Sequence, residues 1–258
     1  MKVIFTCGGT AGHVNPALAL AGYMRKKDPT VEVLFVGTPE GIERDLVAQA
    51  GYDYRGIAVG SLERSVSWEA IRHNCKSAWE MLALRRKTGA ILKEFPADLV
   101  VGTGGYASYP MVKYAALRGI PTAVHEANMI PGLTTKMLEK HASRIMVGFE
   151  ECRALYKHPE RIAVTGTPVR GDFFDLTHEE AKAALGMGKD EPLVVSFWGS
   201  LGASTMNGQM LDFFKKEKED GYPFYHIHAV GGRGWETMQQ EMQKAGLPGS
   251  HKLDVRKY

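Results

Sequence analysis

Cysteine is scarce. The 258 residues hold three, Cys7, Cys75 and Cys152, an odd number with no Cys-x-x-Cys spacing. Neither a disulfide framework nor a cysteine metal site follows, and a reducing compartment is the expectation. Excess charge is missing too. The 32 basic and 29 acidic residues leave a formal charge of +3, too even to point to nucleic acid as the partner. No run of about 18 apolar residues is present to cross a membrane. The opening MKVIFTCGG lacks the apolar core and small-residue cleavage site of an export signal. His-Glu-x-x-His and Asp-x-Asp, two common ways of holding a divalent ion, are absent, and no metal or other cofactor is expected.

The chain does contain a regular alternation of short apolar runs and helical patterns. Lys2–Cys7, Val31–Gly37, Tyr54–Val59, Asp98–Gly102, Pro121–His125, Arg144–Phe149 and Ile162–Gly166 read as strands. Between them, Val14–Lys27, Gly41–Ala50, Ala107–Arg118 and Leu133–His141 read as helices, with Val14, Ala17, Leu18, Ala21 and Met24 at helical spacing in the first. Such alternation predicts β-α-β units and a parallel, doubly wound sheet. A break falls near Thr165–Asp175, after which strands at Leu193–Gly199, Phe224–Val230 and His251–Val255 alternate with helices at Ser204–Lys218 and Trp235–Ala245. This second stretch has three strands, and fewer residues than the ~100–150 of an independent domain, so it reads as an incomplete unit.

Glycine-rich turns follow several of these strands. Gly8-Gly9-Thr10-Ala11-Gly12-His13 sits between the first strand and first helix, where glycine lets backbone approach a ligand and the helix start presents free N–H groups to an anion. It is not a phosphate loop, because no Gly-Lys-Ser/Thr follows. It is also a flawed dinucleotide fingerprint: Cys7 occupies the first glycine position, and no acidic residue closes the second strand to hold a ribose. Gly102-Thr103-Gly104-Gly105-Tyr106 and Gly199-Ser200-Leu201-Gly202-Ala203-Ser204 occupy equivalent places after later strands, where ligands of such sheets bind. His125-Glu126-Ala127-Asn128, at a strand end, groups a base, a carboxylate and an amide that can hold hydroxyls or move a proton. Pro168-Val169-Arg170 puts a planar guanidinium at the break, suited to phosphate. A basic, aromatic-bearing region includes Trp68, Trp79, Arg85 and Arg86. It suits either the headgroup boundary of an anionic membrane or a helix with its apolar stripe in the core and its basic face in water.

Taken in order, Gly8–His13 with Val14-Asn15-Pro16, Gly104-Gly105-Tyr106, His125-Glu126-x-Asn128, Gly166-Thr167-Pro168-Val169-Arg170, Gly199–Ser204 and Asn207 resemble the MurG family of glycosyltransferases over nearly the whole chain. The resemblance implies an α/β fold of two Rossmann-like domains (GT-B): an acceptor-binding domain at 1–165 and a truncated nucleotide-sugar domain at 166–258. It implies inverting transfer of GlcNAc from UDP-GlcNAc to undecaprenyl-pyrophosphoryl-MurNAc-pentapeptide, lipid I to lipid II, in peptidoglycan synthesis. It also implies a peripheral protein on the cytoplasmic face of the cell membrane, whose partners include the anionic inner-membrane surface. On this chain the family's substrate-binding positions fall on Thr10, Ala11, Gly12, Asn128, Arg170 and Ser200, and its polar cleft positions on His13 and Glu126. His13 is the first candidate base because unperturbed imidazole titrates near pH 6.5, and Glu126 is either the second or a group that orients the acceptor. Ala11 and Leu201 depart from the family's usual glycine and glutamine. The family's later uridine- and ribose-binding segments are absent, so weak UDP-GlcNAc affinity is the expectation for this chain. Two other readings stay open: a UDP-GlcNAc epimerase of the same fold, and a non-enzymatic lipid- or partner-binding fragment.

Overall fold

A computed structural model of the chain describes residues 1–58, 84–199, 202–247 and 251–257. It divides into two compact units, Met1–Asp175 and Leu176–Tyr258.

The first unit is built on seven parallel strands: β1 (Lys2–Thr6), β2 (Glu32–Gly37), β3 (Asp53–Gly56), β4 (Leu99–Gly102), β5 (Thr122–Glu126), β6 (Arg144–Val147) and β7 (Ile162–Val164). Their spatial order is β3-β2-β1-β4-β5-β6-β7, with Phe5 level with Phe35 on one side of β1 and with Val101 on the other. Successive side chains of a strand point to opposite faces, and both faces are apolar here. Val3, Phe5, Val33, Phe35 and Val101 meet α1 (Ala11–Lys27) and α2 (Ile42–Gln49) through Val14, Ala17, Leu18, Ala21 and Val47. Ile4, Leu34, Val36 and Val100 meet the other face's helices: helical residues 84–94, here α3, then α4 (Ser108–Leu117) and α5 (Leu133–Leu138), through Leu84, Leu92, Met111, Val112, Ala115 and Leu138. Each large apolar side chain buried this way contributes ~1.5–3 kcal/mol. The strand order reverses between β1 and β4, and the helices change faces at the same place. In open parallel sheets the crevice beyond the strand ends at that reversal is where ligands bind.

The second unit carries β8 (Leu193–Phe197), β9 (Tyr225–Ala229) and β10 (Leu253–Arg256), parallel and ordered β10-β9-β8, with α6 (His178–Ala184), α7 (Ser204–Glu219) and α8 (Trp235–Lys244). Phe214, Val230, Met238, Leu247 and Leu253 make its core. Beneath α7 runs a polar chain. Glu217 Oε1 lies 2.6 Å from His226 Nδ1, and Ser196 Oγ lies 2.7 Å from both His226 Nε2 and His228 Nδ1. Burial first, and the facing His226 second, push the His228 imidazole down to about 4.

Several boundaries differ from the sequence expectation by two or three residues, and one helix was not expected. Helix α1 begins at Ala11 instead of Val14, which takes Ala11, Gly12 and His13 into its first turn. Helix α6 falls between the break at Thr165–Asp175 and the Leu193–Gly199 strand, where no element was expected. Its start is fixed by a capping box, with the Glu180 N–H donating to the Thr177 hydroxyl while the Glu180 carboxylate accepts from the Thr177 N–H.

Candidate active site

Strand β1 ends in the buried Cys7, and the chain then turns through Gly8 and Gly9 into α1. Gly9 has φ +87°, a left-handed conformation that glycine adopts without a Cβ penalty. Thr10 is the N-cap of α1 but makes no capping bond, and the helix's first turn holds no acidic residue. Its N–H groups and positive dipole end are therefore uncompensated by the helix's own side chains.

His13 is seated with care. Its Nδ1 lies 2.8 Å from the Gly8 carbonyl oxygen and 3.4 Å from Thr10 Oγ1, and its own carbonyl accepts a 2.6 Å bond from the Thr103 hydroxyl. A carbonyl oxygen only accepts, so the Nδ1 facing Gly8 is the nitrogen that carries the proton. The neutral ring then presents Nε2 as a free lone pair. The β4 turn supplies the space. A Cβ on Gly104 would stand 2.5 Å from His13 Cδ2, and one on Gly105 would collide with the Gly8 carbonyl oxygen. Both also have positive φ, +115° and +80°.

At the end of β5 the Glu126 carboxylate is fully engaged. Oε1 accepts from the Asn128 N–H at 3.0 Å and from Asn128 Nδ2 at 2.8 Å; Oε2 accepts from the Gly132 N–H and the Thr135 hydroxyl, each at 2.8 Å. Burial pushes its pKa up, but these four donors outweigh burial and hold it below the ordinary carboxylate range. Asn128 is exposed and keeps its side-chain oxygen for another partner. His125 is buried, with Nε2 3.1 Å from the Gly166 carbonyl, and burial lowers its pKa. β4 lies between β1 and β5, so the end of β1, which leads into the His13 turn, and the end of β5, which is Glu126, are two strand spacings apart, roughly 10 Å.

Arg170 is exposed, with Nη2 3.3 Å from Asp172 Oδ2, and leads into a 3-10 turn, Gly171–Phe174, that lies against α1. Ser200, Trp68 and Trp79 lie outside the described residues. Arg85 and Arg86 are exposed on α3, whose Leu84, Thr88 and Leu92 face the core. In the described part of that helix the apolar stripe is therefore used internally. Arg85 rests near the Tyr114 ring, 6.0 Å from its centre.

One group escaped the sequence reading. Glu43, in the first turn of α2, is completely buried beneath the glycine turn. Its Oε1 accepts from the Thr38 N–H at 2.9 Å and the Thr38 hydroxyl at 2.6 Å, and its Oε2 from the Gly9 N–H at 3.3 Å. Burial raises its pKa, yet these bonds outweigh burial and hold it low. The neighbouring Cys7 thiol is pushed up to about 12, by burial first and the Glu43 charge second. In sequence an acid at a helix start signals only a favourable dipole contact.

A model of the glycosyltransferase family 28 N-terminal domain matches residues 3–147. A UDP-N-acetylglucosamine–N-acetylmuramyl-(pentapeptide) pyrophosphoryl-undecaprenol N-acetylglucosamine transferase from Acetivibrio thermocellus is 38% identical over 258 residues, all of this chain and 68% of the relative. The chain belongs to the MurG family. A transferase of the same name from a Thermoanaerobacter species is 39% identical over 220 residues, 85% of this chain and 59% of the relative. The MurG-family chain thus spans about 59–68% of the length of these relatives. Among solved structures, MurG of Acinetobacter baumannii matches with a TM-score of 0.65 at 22% identity, over all of this chain and 68% of that one. A putative UDP-N-acetylglucosamine 2-epimerase from Listeria monocytogenes matches with a TM-score of 0.63 at 14% identity, over 98% and 68%. At such identities the likeness concerns the fold, the α/β class of MurG and its GT-B neighbours.

Proposed function

We propose that this chain carries the inverting transfer of GlcNAc from UDP-GlcNAc to undecaprenyl-pyrophosphoryl-MurNAc-pentapeptide. Residues 1–165 take the lipid-linked acceptor and residues 166–258 contribute to the nucleotide-sugar site. The observation that carries this reading is the His13 seat at the strand-order reversal, with Nδ1 committed to Gly8 and Nε2 free. His13 Nε2 takes the proton of the acceptor's C4 hydroxyl as its oxygen attacks the anomeric carbon, and UDP departs from the opposite face. The α1 first turn at Thr10, Ala11 and Gly12 and the Arg170 guanidinium meet the negative charge that develops on the diphosphate. Glu126 serves as a positioning residue, because its four donors leave no free lone pair well placed for a proton; it holds the Asn128 amide toward a sugar hydroxyl.

The test measures GlcNAc transfer to a lipid I analogue by the chain, and by the chain joined to the part of the Acetivibrio relative that it does not match. His13→Gln is expected to lower turnover at least about 100-fold in whichever form is active. Near-normal turnover in that variant removes His13 from the role. An N-acetylmannosamine product formed without acceptor identifies an epimerase, and lipid binding with no transfer in either form identifies a non-enzymatic fragment.

The membrane reading, of a peripheral protein at the cytoplasmic face, rests on the basic region. Among the described residues no helix is long and apolar enough to cross a bilayer. A peripheral protein held by Arg85, Arg86, Trp68 and Trp79 floats with anionic vesicles at low salt. Arg85→Glu/Arg86→Glu then lowers the floated fraction severalfold, at ~1 kcal/mol per basic residue. Unchanged flotation leaves these residues a solvated helix face.

A further inference from the structure

The Gly8 carbonyl and the Gly9 N–H belong to one peptide group, and the two ends of that group are held by different side chains. His13 Nδ1 is 2.8 Å from the carbonyl oxygen; Glu43 Oε2 is 3.3 Å from the nitrogen. In a trans peptide these two bonds point in opposite directions. The order is therefore carboxylate, peptide, imidazole. We propose that Glu43 is a positioning residue for the His13 base, acting through the Gly8–Gly9 peptide; this rests on the reading of His13 as the base.

Two physical effects make the link. The first is orientation. With glycine on both sides of the peptide and Gly9 at φ +87°, no Cβ resists a flip of the peptide plane, and a flip turns the Gly8 carbonyl away from His13. The Glu43 carboxylate opposes that flip because it accepts the N–H only in the present orientation. Its own place is fixed by the Thr38 backbone N–H and by close packing: a Cβ on Gly8 would come within 2.9 Å of Glu43 Oε1, and one on Gly37 within 2.8 Å of Glu43 Cγ. The second effect is polarisation. A negative acceptor on the N–H draws electron density toward the carbonyl oxygen, and hydrogen bonds in such a chain strengthen one another. The Gly8 oxygen becomes a better acceptor for Nδ1–H, which holds the tautomer that leaves Nε2 basic. In Ser-His-Asp sites an aspartate touching the imidazole does this directly. Here the carboxylate lies one peptide further away, buried beneath the turn among Gly8, Gly37 and Cys7.

The Glu43→Gln variant isolates the effect. Thr38 offers two donors to one oxygen and Gly9 offers one to the other. A glutamine turning its oxygen to Thr38 sets its NH2 against the Gly9 N–H, and the peptide loses its hold. The readout is the nitrogen spectrum of 15N-histidine-labelled chain at alkaline pH, where the rings are neutral. In the unsubstituted chain His13 is expected as the Nδ1–H tautomer, the opposite of free histidine. Glu43→Gln is expected to move most of the population to Nε2–H. Thr38→Val, which touches the same carboxylate but not Gly9, is expected to leave the tautomer in place. A folded Glu43→Gln chain that keeps Nδ1–H overturns the proposal, and so does an equal shift in Thr38→Val. Should Glu43→Gln not fold, the Gly9 amide of the unsubstituted chain decides. Slow exchange with solvent supports the bond to Glu43, and exchange at the rate of an open loop overturns it. The base reading stands or falls separately, on turnover in His13→Gln.

Discussion

β1 and β8 hold the same place in their units, each an apolar strand running into a glycine turn and then a long helix. Their surroundings are opposite. β1 is paired on both sides, and Phe5 is 0% exposed, its ring stacked on Phe35 with centres 5.4 Å apart. β8 is paired only with β9, and Val195 and Phe197 are 54% and 64% exposed. An apolar run therefore carries strand propensity but not a location. Burial comes from partners contributed by distant sequence, β2 and β4 for β1, and the described residues give β8 a partner on one side only.

The contrast can be broken most directly by truncating the two phenylalanines. Phe5→Ala is expected to cost ~3–5 kcal/mol, since it opens a cavity against Phe35 and α1. Phe197→Ala stays within about 0.5 kcal/mol. Hydrogen exchange at the β1 and β9 amides reads each unit by itself, and equal losses in the two would erase the distinction.

Acid separates the units next. His228, at about 4 in the folded state against ~6.5 unfolded, leaves the unfolded chain binding more protons between those values. Its contribution to the stability of the second unit is therefore complete above pH ~6.5 and falls away as the pH drops toward 4. Glu43 and Glu126 act lower. Their folded pKa values lie below the ordinary carboxylate value of ~4.3, so their stabilisation is full above that pH and declines beneath it. His228→Asn is expected to flatten the slope of β9 protection from pH 6.5 to 4 without altering that of β1. An unchanged β9 slope would show that the titrating group is elsewhere.

The smallest effect sharpens the comparison at α6. Thr177→Ala removes one half of the capping box, and ~1 kcal/mol should be lost from the second unit alone, measured by urea denaturation followed at the same amides.

Most of the architecture was legible because the signals were local. Strand and helix periods, with glycine between them, predict β1, β2 and β4 to within a residue or two, and α7 and α8 likewise. α6 was legible in principle: Thr177-His178-Glu179-Glu180 carries the capping spacing, obscured by the short length and polar surface of the helix. The site divides along the same line. His13 announces itself by standing in the glycine turn. Its tautomer does not, because that depends on the Gly8 carbonyl and on clearance from Gly104 and Gly105, some 90 positions away in the chain. Sequence leaves Glu126 open as a base or an orienting group, and only its donors Gly132 and Thr135, which arrive by a loop whose path no spacing rule gives, show the carboxylate tied down. Glu43 was invisible for the complementary reason, being an ordinary helix-start acid until the turn folds over it.

The central position of β1 has a practical corollary for anyone handling the molecule. Met1 is half exposed, so extra residues can be appended there without entering the core. Trimming is another matter. The first six residues are the seam of the larger sheet, and a protease or a late start site that removed them would leave β3-β2 and β4-β5-β6-β7 as two unconnected ribbons.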